Sequence, residues 1–300
     1  MEKQKFNKGI GLTALGSFWW GVIGVIYFKY ISFAGSIEVV IHRCVWTSVI
    51  LIITTFYFSK WDIFFEIIKN KMNVIYLFFS SLLIFINWAT WIYAVGTEKI
   101  IDASFGYFIM PILSVYLGYI FYGEKINKRR SLSILLVLIS ILFLLFKSFH
   151  SIPWVGLIVA LSWGFYNLLR KKVNVDTDVG LLIESLFILP FALFAFFLLF
   201  KNNLNIFNLN DISLMFILML AGPMTVIPLF LYVRGVELCG LGPTGMIFYI
   251  TPTFQFLLGF FSLLSLDFTP IVTGSKLEHT LMVSSILSNN GSEFTLKSIV

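Results

Sequence analysis

The chain has 300 residues, of which 59% are hydrophobic and only 12% charged, and its mean hydropathy is +0.94. Soluble domains are about 45–50% apolar and about 25% charged, so the composition excludes an ordinary water-soluble domain. The formal charge of +6 lies in short loops between apolar runs, which argues against nucleic acid binding and is typical of a multi-spanning membrane protein. Cys44 and Cys239 lie far apart on apolar stretches, so neither a disulfide framework nor a cysteine metal site is predicted.

Nine apolar runs approach the length of about 20 residues that a membrane helix needs. The first run follows a basic N-terminus, but it is too long for a signal peptide and lacks a small-residue cleavage site, so it is predicted to be an uncleaved helix. The linkers are short and contain no soluble domain. The predicted spans are 9–30, 35–58, 73–95, 103–123, 131–147, 153–170, 179–200, 212–233 and 242–266.

Lysine and arginine counts in the loops predict the orientation of these spans. The N-terminus and every second loop after it carry 14 such residues, whereas the intervening loops carry 4. Because cytoplasmic loops carry the excess of positive residues, the N-terminus is predicted to be cytoplasmic.

A Y-x-x-G-x-E motif occurs twice, at 93–98 and 232–237, and each copy is followed at a similar offset by a proline. Trp20-Gly21 is likewise matched by Trp163-Gly164. Chance similarity between apolar segments is the alternative, but several matches in one order favour a repeat. The first unit holds five helices, so the second would cross the membrane in the opposite sense, as in many secondary transporters. The predicted repeats are 1–147 (helices one to five) and 153–270 (helices six to nine).

Four prolines lie inside predicted spans, where each removes a backbone hydrogen bond and kinks the helix. The carbonyl that loses its partner must then face protein or water. A static kink that improves packing is one interpretation, and a pivot or cavity lining is the other. The four are Pro111, Pro223, Pro228 and Pro252.

Ionisable side chains inside the spans are the first candidates for a functional site, because a charge at the bilayer centre costs about 2.5–3.5 kcal/mol on insertion scales. Glu38 and His42 are spaced i, i+4 and share a helix face with Trp46. Three interpretations stay open: a structural ion pair of Arg43 with Glu184 or Glu38, proton transfer by the His–Glu pair, and contact with substrate.

Aromatic and amide side chains add to this set, although each one alone is more often a packing residue than a ligand. Together they suit a cavity for an aromatic or amphipathic solute. The residues predicted to bind substrate or to couple transport are Glu38, His42, Arg43, Asn87, Trp91, Tyr107, Glu184 and Tyr249.

Signatures of catalysis are missing from the sequence. It has no Walker loop, no zinc-ligand cluster, no G-x-S-x-G and no paired acidic motif for magnesium. We therefore predict no catalytic residues, no cofactor and no metal.

Residues spread over positions 8–270 carry a resemblance to a known family. In the first half they are Phe18, Trp20, Gly21, Tyr27, Phe28, Lys29, Glu38, His42, Arg43, Trp46, Asn87, Trp88, Tyr93–Val95, Ala103–Ile109, Pro111, Leu117, Gly118 and Glu124. In the second half they are Phe165, Tyr166, Arg170–Lys172, Gly180, Leu181, Glu184, Pro190, Thr225, Pro228, Leu229, Tyr249, Ile250 and Pro252.

With these residues the chain resembles the RarD branch of the EamA family, in the drug/metabolite transporter superfamily. The resemblance implies an all-α polytopic membrane protein of ten helices in two inverted five-helix repeats. It also implies cytoplasmic termini and transport of a small solute, coupled to a proton or metabolite gradient.

Two departures from the family pattern stand out. Phe248 replaces the glutamine that usually precedes the tyrosine of helix nine, and Ser265 stands at the predicted counterpart of Glu124. From Ile271 onward the chain is too polar to span a membrane, so 271–300 is predicted to be a non-spanning tail and the tenth helix to be missing. A frameshift or a diverged tail would explain this, and we expect reduced stability or lost transport.

The leading hypothesis is a secondary-active carrier of a small organic metabolite or drug-like solute in the bacterial inner membrane, working by alternating access. Its expected partners are the lipid bilayer, the solute and a coupling proton. The alternative is a degenerate, non-transporting membrane protein or scaffold. An intramembrane transferase is disfavoured by the missing acidic motifs.

Overall fold

A computed structural model describes residues 2–97, 99–126, 153–173, 175–207 and 211–265, together with most of 131–140 and Phe143. Residues up to Phe260 form one compact unit, and Phe261–Val300 form a second. The predicted tail at 271–300 and most of the predicted span at 131–147 lie outside the described residues, although the described positions of that span are helical.

The N-terminal half begins with a long helical run whose hydrogen-bond pattern changes along its length. It passes from α1 (Glu2–Phe18) through a π-helix (Trp19–Gly24) and α2 (Val25–Tyr30) into a 3₁₀-helix (Ile31–Ala34). It is followed by α3 (Ser36–Tyr57), α4 (Trp61–Lys69), α5 (Lys71–Gly96) and α6 (Ile100–Tyr122).

The C-terminal half has two long helices and two pairs of shorter ones. Each pair occupies one predicted span. The helices are α7 (Trp154–Val173), α8 (Thr177–Lys201), α9 (Ile212–Met219), α10 (Ala221–Cys239), α11 (Leu241–Ile247) and α12 (Ile250–Ser265).

In the described part of the chain, six helical stretches are long and apolar enough to cross a membrane. They correspond to the first four, the seventh and the eighth predicted spans, which confirms an all-α polytopic membrane fold. The predicted span at 153–170 forms α7, a 20-residue helix with three basic residues in its last turn. The six stretches are Lys3–Ala34, Ser36–Tyr57, Lys71–Gly96, Ile100–Tyr122, Thr177–Lys201 and Ile212–Cys239.

The predicted ninth span, 242–266, is not one kinked helix. It divides into α11 and α12, and Pro252 lies in the first turn of α12. Pro252 has no amide hydrogen to donate to the Phe248 carbonyl, four residues before it. That carbonyl instead accepts a hydrogen bond from the Thr251 amide at 2.9 Å. Proline is tolerated in a first helical turn because the amide that it lacks would have no partner there. The break between α11 and α12 thus lies where Pro252 removes a backbone hydrogen bond.

The other predicted kink sites lie either next to a break or inside a helix. Pro223 lies in the first turn of α10, directly after the break at Leu220. Pro111 and Pro228 lie inside α6 and α10, as the sequence predicts.

Helices of the N-terminal half pack mainly against helices of the C-terminal half. α1 lies along α10, α3 lies against α8 and α10, and α7 packs on both α5 and α6. Glycines permit these close approaches, as is common between membrane helices. A methyl group on Gly222 of α10 would lie 2.6 Å from the Trp46 carbonyl oxygen of α3, and one on Gly16 would lie 2.9 Å from the Pro228 carbonyl oxygen.

A polar contact joins the two halves at the end of α6. The Glu124 carboxylate accepts the amides of Leu241 at 3.0 Å and Gly242 at 2.8 Å, and it forms an ion pair with Lys171 of α7. Burial raises the pKa of Glu124. The hydrogen bonds from Lys171 and from the Gly242 and Leu241 amides lower it by a larger amount, so the pKa lies below its ordinary value.

This contact predicts acid-sensitive stability. The depressed pKa of Glu124 stabilises the fold above the ordinary glutamate pKa of 4.5, and the stabilisation is lost as the pH falls through the lower folded value. We expect Glu124→Gln to cost about 1–2 kcal/mol at neutral pH, as hydrogen bonds to charged groups are worth about 1.5–3 kcal/mol, and to flatten the pH profile below about pH 5.

Thermal unfolding of the detergent-purified protein, followed over a pH series, measures both effects. Glu66→Gln, which removes an exposed carboxylate on α4, is the matched control and should leave the profile unchanged. A Glu124→Gln protein as stable and as acid-sensitive as the wild type would contradict the assignment.

Candidate functional site

A cavity lies between the two halves and is lined mostly by aromatic rings. It is narrow and partly open to the exterior: the centre of a water-sized sphere can occupy only about 20 Å³ of it, about enough for one water molecule. Both predicted repeats contribute to its wall. The lining residues are Trp20, Phe28, Arg43, Asn87, Trp88, Trp91, Tyr107, Trp163, Phe248, Thr251 and Gln255.

Irregular backbone supplies several of these side chains. Trp20 lies on the π-helix that interrupts the first span, and such bulges are frequent at functional sites. Phe248 lies in the break between α11 and α12, and Thr251 lies in the first turn of α12. The breaks therefore turn residues from two spans into the cavity, and protein surrounds the backbone that they expose.

Arg43 is the charged side chain of the cavity. It is 4% exposed, and its guanidinium carbon lies 4.9 Å from the ring centre of Phe28, 4.6 Å from that of Trp88 and 5.8 Å from that of Trp91. A desolvated cation–π contact is worth about 2 kcal/mol or more, so these rings offset much of the cost of burying the charge. The Nε atom has no hydrogen-bond partner.

Neither predicted carboxylate partner reaches Arg43. Glu184 lies against Arg170 of α7, with 3.6 Å between Oε1 and Nε. It also accepts hydrogen bonds from the hydroxyls of Ser80 and, at 3.2 Å, Tyr166. Among the described residues, no carboxylate oxygen lies within 4 Å of the Arg43 guanidinium. Hydropathy places Arg170 at the boundary of a span and a loop, and it does not predict the ion pair with Glu184.

Glu38 and His42 form a second polar cluster on α3, outside the cavity. The Glu38 carboxylate accepts the amides of Ile206 and Phe207, each at 2.8 Å, and lies 3.6 Å from His42 Nε2. Trp46 Nε1 donates to His42 Nδ1 at 3.1 Å, so the proton of a neutral His42 is assigned to Nε2, facing Glu38. The i, i+4, i+8 spacing thus produces one connected face, as predicted.

The cavity brings together four of the eight predicted residues. Asn87 is held by hydrogen bonds to the Val159 carbonyl at 3.1 Å and the Ser162 hydroxyl at 3.2 Å. Tyr249 does not line the cavity and packs against Phe108 instead, with 6.2 Å between ring centres. The four that line it are Arg43, Asn87, Trp91 and Tyr107, whereas Glu38, His42, Glu184 and Tyr249 do not.

One signal in the sequence could have located more of the lining. Trp20 and Trp163, the matched tryptophans of the proposed repeat, meet edge to face at 5.1 Å inside the cavity. Phe248 stacks on Trp163 at 5.9 Å, so the position where the chain departs from the family pattern lies in the wall itself. No group of three or more metal-ligating side chains occurs among the described residues.

Comparison with known proteins assigns the family. The pattern of the EamA-like transporter family matches residues 7–146. The uncharacterized transporter YojE of Bacillus subtilis (strain 168) is 31% identical over 264 residues, covering 87% of each chain. Protein RarD of Escherichia coli (strain K12) is 32% identical over 258 residues, covering 86% of each chain.

The chain belongs to the EamA family, in its RarD branch. An uncharacterized transporter of Vibrio cholerae is also similar, at 34% identity over 257 residues, which is 86% of this chain and 84% of the relative. This EamA-family chain is therefore a multi-pass membrane protein and a transporter of the drug/metabolite kind, and its relatives carry the names of transporters.

The buried Arg170–Glu184 pair predicts a strong coupling in stability. Glu184→Gln removes the carboxylate that forms the ion pair with the buried Arg170, and breaking such a pair typically costs about 3–5 kcal/mol. The double variant Glu184→Gln/Arg170→Gln removes both charges, so it should lose less stability than the two single changes added together.

Equilibrium unfolding of the four proteins in detergent measures this coupling. Additive losses would contradict a direct interaction between the two side chains. Glu66→Gln, which removes an exposed carboxylate on α4, is the control and should not couple to Arg170→Gln.

Proposed function

We propose that this chain is a secondary-active carrier that moves a small organic metabolite or drug-like solute across the bacterial inner membrane by alternating access. The observation that carries the proposal is the aromatic cavity between the two halves, with a buried arginine on its wall. Substrate sites of inverted-repeat transporters lie near the membrane midplane at the interface of the repeats, which is where such a cavity would function.

The pattern of helix contacts supports the two-half arrangement. If the halves are repeats, α1 corresponds to α7, and the predicted third and eighth spans, α5 and α10, correspond to each other. The close packing of α1 on α10 then has its counterpart in the packing of α7 on α5. Two similar halves offer two similar packings of opposite direction, one open to each side of the membrane.

Polar contacts on opposite sides of the cavity suit the role of gates. With the N-terminus in the cytoplasm, Glu124 and Lys171 lie at the cytoplasmic ends of their helices. Glu38 lies in the first turn of α3, at the end that faces away from the cytoplasm. Each carboxylate holds backbone amides of the other half. If the hydrogen bonds of one carboxylate broke while those of the other stayed formed, the cavity would open to one side. The Glu38–His42 pair is our candidate for a coupling proton.

Metabolite profiling tests the proposal, since it detects a transported solute of any chemical class. The host is a bacterial strain from which its own relative of this protein has been deleted. It would express the natural chain, the Arg43→Gln variant or the Lys99→Gln variant. Lys99 also contacts two aromatic rings, those of Tyr93 and Trp154, but it does not line the cavity, so Lys99→Gln is the matched control. A chimera with the C-terminal segment of YojE makes the result independent of residues 271–300.

We expect the chimera to change the distribution of at least one small organic solute between cells and medium. Arg43→Gln should reduce that change about tenfold or more, equivalent to about 1.4 kcal/mol, and Lys99→Gln should leave it intact. Transport by the chimera and not by the natural chain would identify the tail as the defect. No solute change with the chimera, or full transport by Arg43→Gln, would overturn the proposal.

A further inference from the structure

The charges that line the cavity are unbalanced. Its wall carries one cation, Arg43, and no Asp, Glu, Lys or His among the described residues. The two buried carboxylates of the described chain are engaged elsewhere: Glu38 holds the amides of Ile206 and Phe207, and Glu184 faces Arg170. A guanidinium remains protonated in proteins, so the empty cavity carries a net positive charge.

The faces and edges of the Arg43 guanidinium have different surroundings. Phe28 and Trp88 lie against the charge with ring centres within 5 Å, and rings contact a guanidinium through electrostatic attraction without accepting strong hydrogen bonds. Nε is buried with no hydrogen-bond partner. An arginine in this state retains donors for an acceptor that enters the cavity, and the bidentate fork of a guanidinium fits a carboxylate.

The wall that completes the cavity is apolar and aromatic. Trp20, Trp163 and Phe248 contact one another, with ring centres 5.1–6.2 Å apart. Their size and shape favour a flat apolar body next to them, since aromatic rings pack edge to face or offset. Thr251 and Gln255 provide polar groups on α12 at the same wall.

We propose that the transported solute is a small monocarboxylate with an aromatic or flat apolar body, whose carboxylate pairs with Arg43 and whose body packs among Trp20, Trp163 and Phe248. This inference rests on the proposed function of the cavity as the substrate site. One guanidinium balances one negative charge, so a dianionic phosphate would leave a charge unpaired. A zwitterionic amino acid would bring an ammonium group to a wall that has no carboxylate among the described residues.

Ligand-induced stabilisation of the purified full-length chain tests the solute class without requiring transport. The probe is 3-phenylpropionate at neutral pH, compared with its neutral amide, with phenylalanine and with phenyl phosphate. Because a ligand that binds only the folded state raises its stability by RT ln(1 + [L]/Kd), the midpoint of unfolding at a fixed ligand concentration reports affinity. We expect 3-phenylpropionate to bind at least about tenfold more tightly than each of the other three, a difference of about 1.4 kcal/mol.

Variants assign this preference to Arg43. Arg43→Gln should abolish the preference for acid over amide, whereas Arg43→Lys, which keeps the charge but loses the bidentate fork, should weaken it and retain its sign. Lys99→Gln should behave as the wild type. The comparison of acid with amide in the wild type stands by itself if Arg43→Gln does not fold.

Each other result overturns the inference. Equal binding of acid and amide, tighter binding of phenylalanine or phenyl phosphate, no binding of the acid, or acid preference retained in Arg43→Gln would each reject it. Acid-selective binding together with absence of transport by the chimera would instead reject the proposed transport and leave the ligand class intact.

Discussion

A guanidinium buried inside a membrane-spanning helix, with no carboxylate partner among the described residues, sets the conditions for the rest of the site. A charge inside a span is costly, so protein must supply much of what stabilises it. Here the rings of Phe28, Trp88 and Trp91 do so from α2 and α5, which leaves the hydrogen-bonding edge of Arg43 without a carboxylate from the described residues. The aromatic wall of the cavity is therefore also what stabilises this charge.

The buried carboxylates are kept apart from this arginine by partners of their own. Glu184 is held by Arg170, Ser80 and Tyr166, and Glu38 by two backbone amides. The contacts of Glu184 with Ser80 and of Glu38 with those amides join the N-terminal half to the C-terminal half. Polar groups therefore stabilise the interface of the halves at several places, while the cavity itself stays free of negative charge among the described residues.

The architecture could be predicted from the sequence because each span depends on local composition. Span limits, the helix face shared by Glu38 and His42, and the membrane depth of Arg43 all follow from hydropathy and a period of 3.6 residues. The family resemblance added the transporter class. The sequence could not show whether Pro223 and Pro252 kink one helix or follow a break between two, because a proline in an apolar run is compatible with both. The partners of the charged residues required the three-dimensional structure, since Glu184 meets Arg170 across two helices and Glu38 binds backbone amides that no sequence pattern indicates. The π-helix at Trp19–Gly24, which positions Trp20, also leaves no clear pattern in an apolar run.

An alternating-access carrier exposes the cavity between its halves to each side of the membrane in turn, and cysteine accessibility detects this exposure. In a background with Cys44 and Cys239 replaced by alanine, Thr251→Cys places one thiol on the cavity wall. An impermeant maleimide is then added to right-side-out and to inside-out vesicles, with Asn202→Cys, in the exposed turn after α8, as a marker of one side. We expect the thiol at position 251 to be labelled from both sides of the membrane and the thiol at position 202 to be labelled from one side. Labelling at 251 from a single side only, or from neither, would contradict it.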